Sequence, residues 1–250
     1  MKTRNKLYTL AAIAGLLVTT NALAGYGDGT ISIQPGVGNA AGGGAFTATT
    51  TPEPGKQNLG NFYTFCIEYT EHIAYGSQYS YVMSSAAVKG GWSTAPDGTA
   101  TSDPISIGTA YLYSQWRSGA IANTGANANL LQAAIWVLEG ESTVDGHNNG
   151  LGEASFKYTA ADIAANPFLT GAGSVSALFG ANANLAAAPG SYGVVILNVY
   201  DLNHAGEQGY ARQDQLGSII PEPSTYVAGA LLLLPFCAST LRILRKNRAA

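Results

Sequence analysis

From Leu130 to Leu138 the chain reads Leu-Leu-Gln-Ala-Ala-Ile-Trp-Val-Leu, nine residues with one polar side chain, Gln132. The spacing predicts a helix from about Asn127 or Asn129 to Leu138, with Asn as its N-cap and Gly140 just past its end. A helix apolar on every side has no face to offer water and must be covered all round. The rest of the chain therefore has to build a body around it. Leu131, Ala134, Ile135 and Leu138 share one face, and Gln132 lies beside Ile135 and Trp136, its i+3 and i+4 neighbours.

The covering elements read mostly as strands. Thr30–Gln34 alternates, Gly44–Thr50 is rich in Thr, and Gln78–Met83 mixes aromatic with aliphatic residues. Asn61–Tyr69 (NFYTFCIEY) is the clearest strand, filled with aromatic and β-branched residues. Tyr192–Val199 (YGVVILNV) has the continuous apolar run of a strand buried on both faces, and Ala211–Ile219 is a further strand. Helices are expected at Ile105–Trp116, Thr159–Ala165 and Ser174–Leu178, and Gly36–Gly44 reads as a turn region. Strands toward both ends with helices between them predict an α+β, β-rich domain framed by a sandwich or barrel-like sheet with a helical portion.

Both ends of the chain are patterned differently from this body. Lys2, Arg4 and Lys6 precede an apolar run, Leu7–Val18, and Ala22-Leu23-Ala24 follows. A basic start, a short apolar stretch and a small–x–small site make a secretory signal peptide, 1–24, cut by signal peptidase after Ala24. At the other end Pro221-Glu222-Pro223-Ser224 breaks regular structure. An apolar stretch, Tyr226–Leu241, then precedes Arg242, Arg245, Lys246 and Arg248. Basic residues on the far side hold that end in the cytoplasm and leave the body outside. These three parts, in this order, resemble the PEP-CTERM sorting tail of Gram-negative exported proteins. The resemblance implies a tail over 219–250 that holds the chain transiently in the inner membrane until an exosortase-type enzyme cuts near Pro221, Glu222 and Pro223. The expected location is then the cell surface or the extracellular matrix.

The domain left between the ends, 25–218, has roughly 195 residues, enough for one substantial core. Between Gly25 and Ile220 five basic residues face 14 acids. That balance is a poor match for nucleic acid, whose phosphates need clustered cations.

Of two cysteines, Cys237 lies in the tail, so Cys66 is unpaired in a chain bound for an oxidising compartment. It could be an inert buried thiol, half of an intermolecular disulfide, or a chance survivor. Gln132 is equally out of place, since a buried carboxamide without partners costs about 1–3 kcal/mol. A core Gln bonded to a loop backbone is the plain explanation. The sharper one joins the two residues. A sulfur held against the Gln carbonyl carbon can displace ammonia and leave an internal thioester, given enforced proximity, donors for the oxyanion and exclusion of water. Phe62, Tyr63, Phe65 and Trp136 are the residues expected to keep water out.

Phe65-Cys66-Ile67-Glu68 on a strand, followed far downstream by Gln132-Ala133-Ala134-Ile135-Trp136 opening a helix, resembles the thioester domains of bacterial surface adhesins. Leu131 stands where those proteins often carry Thr. The resemblance implies that Cys66 and Gln132 are the bonded pair, that Trp136 and Phe65 shield the bond, and that the fold is β-rich with a helical portion carrying the Gln. It also implies covalent attachment to an amine- or hydroxyl-bearing partner, such as exopolysaccharide or a neighbouring surface protein. That is a single event per molecule rather than enzymatic turnover, and it needs no cofactor.

Other chemistries are weakly supported. His72, His147 and His204 are scattered and no metal-helix spacing exists. Asp145–Gly150 echoes a calcium loop but has His at its third position and Phe156 at its twelfth. Glu139 and Glu141 follow the helix at an expected exposed end, and i, i+2 residues do not face each other as a glycosidase pair would. A hydrolase is therefore disfavoured. The principal alternative is a non-covalent matrix or carbohydrate-binding protein in which Cys66 is inert core.

Overall fold

The computed structural model of this chain describes residues 27–38, 44–69, 71–88, 103–141 and 158–219. The signal peptide, the sorting tail with Pro221, Glu222, Pro223 and Cys237, His147 and the Asp145–Gly150 loop lie outside the described residues. Among those described, no helix is long and apolar enough to cross a membrane.

Among the described residues, eight strands and four α-helices make up the fold: β1 (Gly29–Pro35), β2 (Phe46–Pro52), β3 (Asn61–Thr64), β4 (Gln78–Ser84), β5 (Ala86–Ala87), β6 (Asp103–Pro104), α1 (Ile107–Arg117), α2 (Gly125–Leu138), α3 (Ala160–Ala165), α4 (Val175–Phe179), β7 (Val194–Tyr200) and β8 (Gln215–Ser218). Six strands form one sheet in the order β3-β2-β1-β4-β7-β8, antiparallel throughout, while β5 and β6 pair separately. The two edges of the large sheet curl toward each other. Cys66, just past β3, bridges Gln215 of β8, Leu216 N donates to Phe65 O at 3.0 Å, and Ile67 N donates to Asp214 O at 3.1 Å. The result is a nearly closed antiparallel barrel with helices attached. Of the two frames expected from sequence, the barrel is the one adopted.

Closure leaves no long unpaired edge, and polar side chains staple the seam. Thr64 Oγ1 donates to Leu216 O at 2.7 Å, and the Tyr113 hydroxyl of α1 reaches Tyr63 O at 2.8 Å and Leu216 O at 3.2 Å.

Two cores flank the sheet. One gathers Ile31, Ile33, Phe46, Ala48, Phe62, Tyr79, Tyr81, Val195, Leu197 and Val199 from alternate positions of five strands, together with Cys66 and Trp136. The other gathers the helices, including Leu112, Tyr113, Trp116, Leu131, Ile135 and Leu138, against Val194, Ile196, Leu216, Phe65 and Ile67. Strand β7 serves both cores and is buried along its whole length, which is why its sequence is apolar without alternation.

Several expectations need correction. The strand expected over Asn61–Tyr69 ends at Thr64, because the chain leaves β2 there to bridge β8 instead. Helix α2 begins at Gly125, and its N-cap is Thr124, whose hydroxyl accepts from Asn127 N, rather than an Asn. Tyr192 lies before β7, in a short helical turn with φ of 55°, not in the strand. Ala211 makes an isolated bridge with Tyr200, and regular pairing of the last strand starts at Gln215. Glu139 and Glu141 are both buried, not exposed. Glycine is required at Gly38, with φ of +70°, since a Cβ there would lie 2.4 Å from the Gly125 carbonyl oxygen at the start of α2.

Candidate functional site

The site lies at the barrel seam, where the segment after β3 meets the C-terminal half of α2. Phe65 and Ile67 point into the helical core while Cys66 points to the opposite side, as the two-residue period of extended chain requires. Helix α2 is buried from Leu131 to Leu138 except for the half-buried Val137. It divides its residues between the cores. Leu131, Ala134, Ile135 and Leu138 enter the helical one, and Trp136 joins Cys66 in the other.

Between the two, Gln132 registers on the Cys66 peptide. Its Nε2 donates to Cys66 O at 2.8 Å, and its Oε1 accepts from Cys66 N at 3.3 Å. These bonds fix the orientation of the carboxamide, since a flip would set donor against donor and acceptor against acceptor. The same Oε1 lies 3.3 Å from Cys66 Sγ. Sulfur and carboxamide are thus in contact, and one backbone N–H already points at the oxygen that would carry negative charge if the sulfur attacked.

The contact is dry. Cys66 and Gln132 are each 1 % exposed and Trp136 is 3 % exposed. Tyr69 packs edge-on against Trp136 with ring centroids 5.0 Å apart. Trp136 shares the core that holds the Cys66 sulfur and acts on it weakly in favour of the thiolate. Phe62 lies in the same core as Cys66, whereas Phe65 and Tyr63 lie on the helical side of the strand, Phe65 packed edge-on against Trp116 and Tyr113.

Burial pushes the Cys66 thiol well above its ordinary value of 9.0. The charge of Glu68 adds to this, the Cys66 N–H opposes it, and Glu141 adds a smaller push upward. A thiol this covered cannot meet a cysteine of another molecule without local opening, and among the described residues it forms no disulfide. A turnover nucleophile needs the opposite environment, electropositive and partly open. His72 lies exposed in the segment after the seam, whereas the Cys66 sulfur is buried.

Sequence reasoning missed the acids around the sulfur. Glu68 is buried, with Oε2 accepting from Asp214 N at 3.1 Å. Both oxygens of Asp214 accept backbone N–H groups, from Val199 at 2.9 Å and Val88 at 2.9 Å. Glu141 N donates to Trp136 O at 2.8 Å, and its Oε2 accepts from Tyr69 N at 3.1 Å, tying the Tyr69–Trp136 cover together. Glu139 is occupied elsewhere, accepting from Ser106 N and Oγ at the start of α1. The two acids after α2 hold structure at separate places. Glu68 stood visibly beside Cys66 in the sequence; only its burial was hidden. Among the described residues no group of His, Cys, Asp and Glu could hold a metal ion.

No family model matches the chain, and no curated protein or solved structure does either.

Proposed function

We propose that this is an exported surface or matrix protein whose domain stores an internal thioester between Cys66 and Gln132 and spends it on covalent attachment to a partner. The observation that carries the reading is the contact of Cys66 Sγ with Gln132 Oε1 at 3.3 Å, in a covered site whose carboxamide is held in one orientation. The bond forms as the sulfur adds to Gln132 Cδ and the C–N bond breaks. The S–H proton ends on the departing nitrogen, and ammonia leaves. A partner amine or hydroxyl then adds to Cδ, forming an amide or ester, and the proton it loses returns the sulfur to a thiol.

Proximity does most of this work, because an amide is a poor electrophile and only enforced contact makes attack by a neutral thiol competitive. Water exclusion by Trp136 and Tyr69 preserves the product. Export rests on the two ends of the sequence, the signal peptide 1–24 and the PEP-CTERM-like tail 219–250 with Pro221, Glu222 and Pro223. Exopolysaccharide or a neighbouring surface protein is the corresponding target.

Intact mass of the freshly purified exported protein tests the reading. The wild type should weigh one ammonia less than its sequence, and Cys66→Ala and Gln132→Ala should each show their full mass. Methylamine should add one amine to the wild type and nothing to either variant. Full theoretical mass in fresh wild type would leave Gln132 as a core amide satisfied by the Cys66 backbone. That outcome favours the alternative of a non-covalent matrix or carbohydrate-binding protein.

A further inference from the structure

We propose that the face bearing Tyr192, Phe179, Leu178 and Ile219 lies in the lipid headgroup layer while the C-terminal apolar stretch holds the chain, so that the domain is docked on the membrane and not merely tethered to it. The inference rests on the membrane-held tail of the export reading and is independent of the thioester.

Large apolar side chains stand exposed at six places among the described residues, and four of these, Leu178, Leu185, Tyr192 and Ile219, belong to segments that meet at one side of the fold. Tyr111 of α1 joins them. It packs edge-on against Phe179 at the end of α4 and against Tyr192, with centroids 5.6 Å apart in each case. Leu178 precedes Phe179 in α4. Leu185 O accepts from Ile107 N at 2.8 Å, one turn of α1 before Tyr111, and Ile219 N donates to Gly193 O at 2.8 Å. The remaining two, Tyr75 and Tyr210, lie toward the other end of β7. Tyr210 O accepts from Asp201 N just past that strand, and Tyr75 precedes β4, whose Ser80 pairs with Tyr200, whereas Tyr192 comes before Val194.

The chemistry of this face suits a bilayer surface. No charged side chain occurs from Ser106 to Trp116, from Ile163 to Tyr200 or from Gln215 to Ile220, the stretches that build it. The body otherwise carries 14 acids against five basic residues, so anionic lipid repels most of its surface but not this part. Tyrosine, with an apolar ring and a polar tip, belongs at headgroup depth. Tyr192 also holds φ at 55°, which a bulky residue adopts only where its surroundings impose it. Gly190 and Gly193 turn with it at φ of 72° and 68°, and the ring is left half exposed.

The course of the chain decides what covers the face. From Ile219 the sequence has seven residues to run before the apolar stretch opens at Tyr226. Seven residues reach about 25 Å at most. A compact body of roughly 195 residues is about 40 Å across. The side opposite Ile219 therefore cannot touch the bilayer, and the charge-free apolar side is kept next to it. Gln215, which bridges Cys66, lies at the far end of β8 from Ile219, so docking this way turns the Cys66–Gln132 contact away from lipid.

The test reconstitutes the full-length chain, tail uncut, in vesicles of phosphatidylethanolamine and phosphatidylglycerol, with and without bromine high on the acyl chains. Single substitutions Tyr192→Trp, Leu185→Trp and Tyr75→Trp report contact with lipid as fluorescence quenching beyond that of the wild type. Tyr192→Trp and Leu185→Trp should lose about half of the added signal or more, and Tyr75→Trp almost none. Adding Ile219→Glu and Leu178→Glu to Leu185→Trp should leave flotation with the vesicles unchanged and abolish the quenching. Wild type that floats, with Tyr192→Trp and Leu185→Trp quenched no more than Tyr75→Trp, overturns the docked face and leaves the tail standing. Wild type that does not float overturns both. Reporters that respond to dextran and not to brominated lipid make this a glycan-binding face and overturn the proposal as well. If Tyr192→Trp does not fold, Leu185→Trp against Tyr75→Trp decides by the same criterion.

Discussion

At the scale of single residues, Gln132 matters to stability whether or not it reacts. It satisfies both backbone groups of Cys66, the N–H through Oε1 and the C=O through Nε2, where no solvent can replace it. Gln132→Ala strands both groups. The expected loss is about 1–3 kcal/mol for each group left unmet, read as a lower denaturant midpoint. Cys66→Ala keeps those two bonds and removes only a small buried side chain, so it should cost less than Gln132→Ala. A larger loss for Cys66→Ala would mean that the sulfur, not the carboxamide, holds the seam together.

At the scale of elements, the helices are positioned by their ends. Ser106 caps α1 by accepting from Thr109 N at 3.1 Å, and its hydroxyl donates to Glu139 Oε1 at 2.7 Å. Glu139 is the residue at the C-terminal end of α2, so a single carboxyl locks the end of α2 to the start of the preceding helix, α1, where the N-terminal N–H groups and the dipole favour it. Ser106→Ala removes the cap and one donor to a buried acid together. A loss of about 1–2 kcal/mol is expected, more than from Thr124→Ala at the exposed cap of α2, and paired denaturation curves measure the difference. On α3, Thr159 and Asp162 form a reciprocal capping box, a purely local device at the start of the helix expected over Thr159–Ala165.

At the scale of the whole molecule, the fold holds one acid at the seam and another between its helices out of water, and this sets how stability responds to pH. Burial raises both Glu68 and Glu139 from the ordinary value of 4.5. Below that value each is protonated folded or unfolded and contributes no slope. As pH rises through it the unfolded chain gives up protons that the folded chain keeps, so stability declines until the raised values are reached. Denaturation midpoints should therefore fall from about pH 4.5 upward, and Glu139→Gln should flatten part of the decline; a midpoint that rises over that range would contradict the burial of these acids. Local pattern reached the elements because they depend on neighbours in the chain: the apolar run Leu130–Leu138 had to be a covered helix, the run from Val194 to Tyr200 a strand buried on both faces, and Ser174 and Thr159 sat at helix starts. The pairing of Phe65-Cys66 with Gln132 was readable only as a resemblance between two short motifs 66 residues apart. Pattern left a sandwich and a barrel both open, and which edges meet to close the sheet was not readable. Thr64 ends its strand, and Glu68 and Glu141 are buried, because the edge after β3 meets β8, about 150 residues along the chain. No local propensity encodes such a meeting. Sequence determined which residues must leave water, and only the closing of the barrel decided which of them face one another.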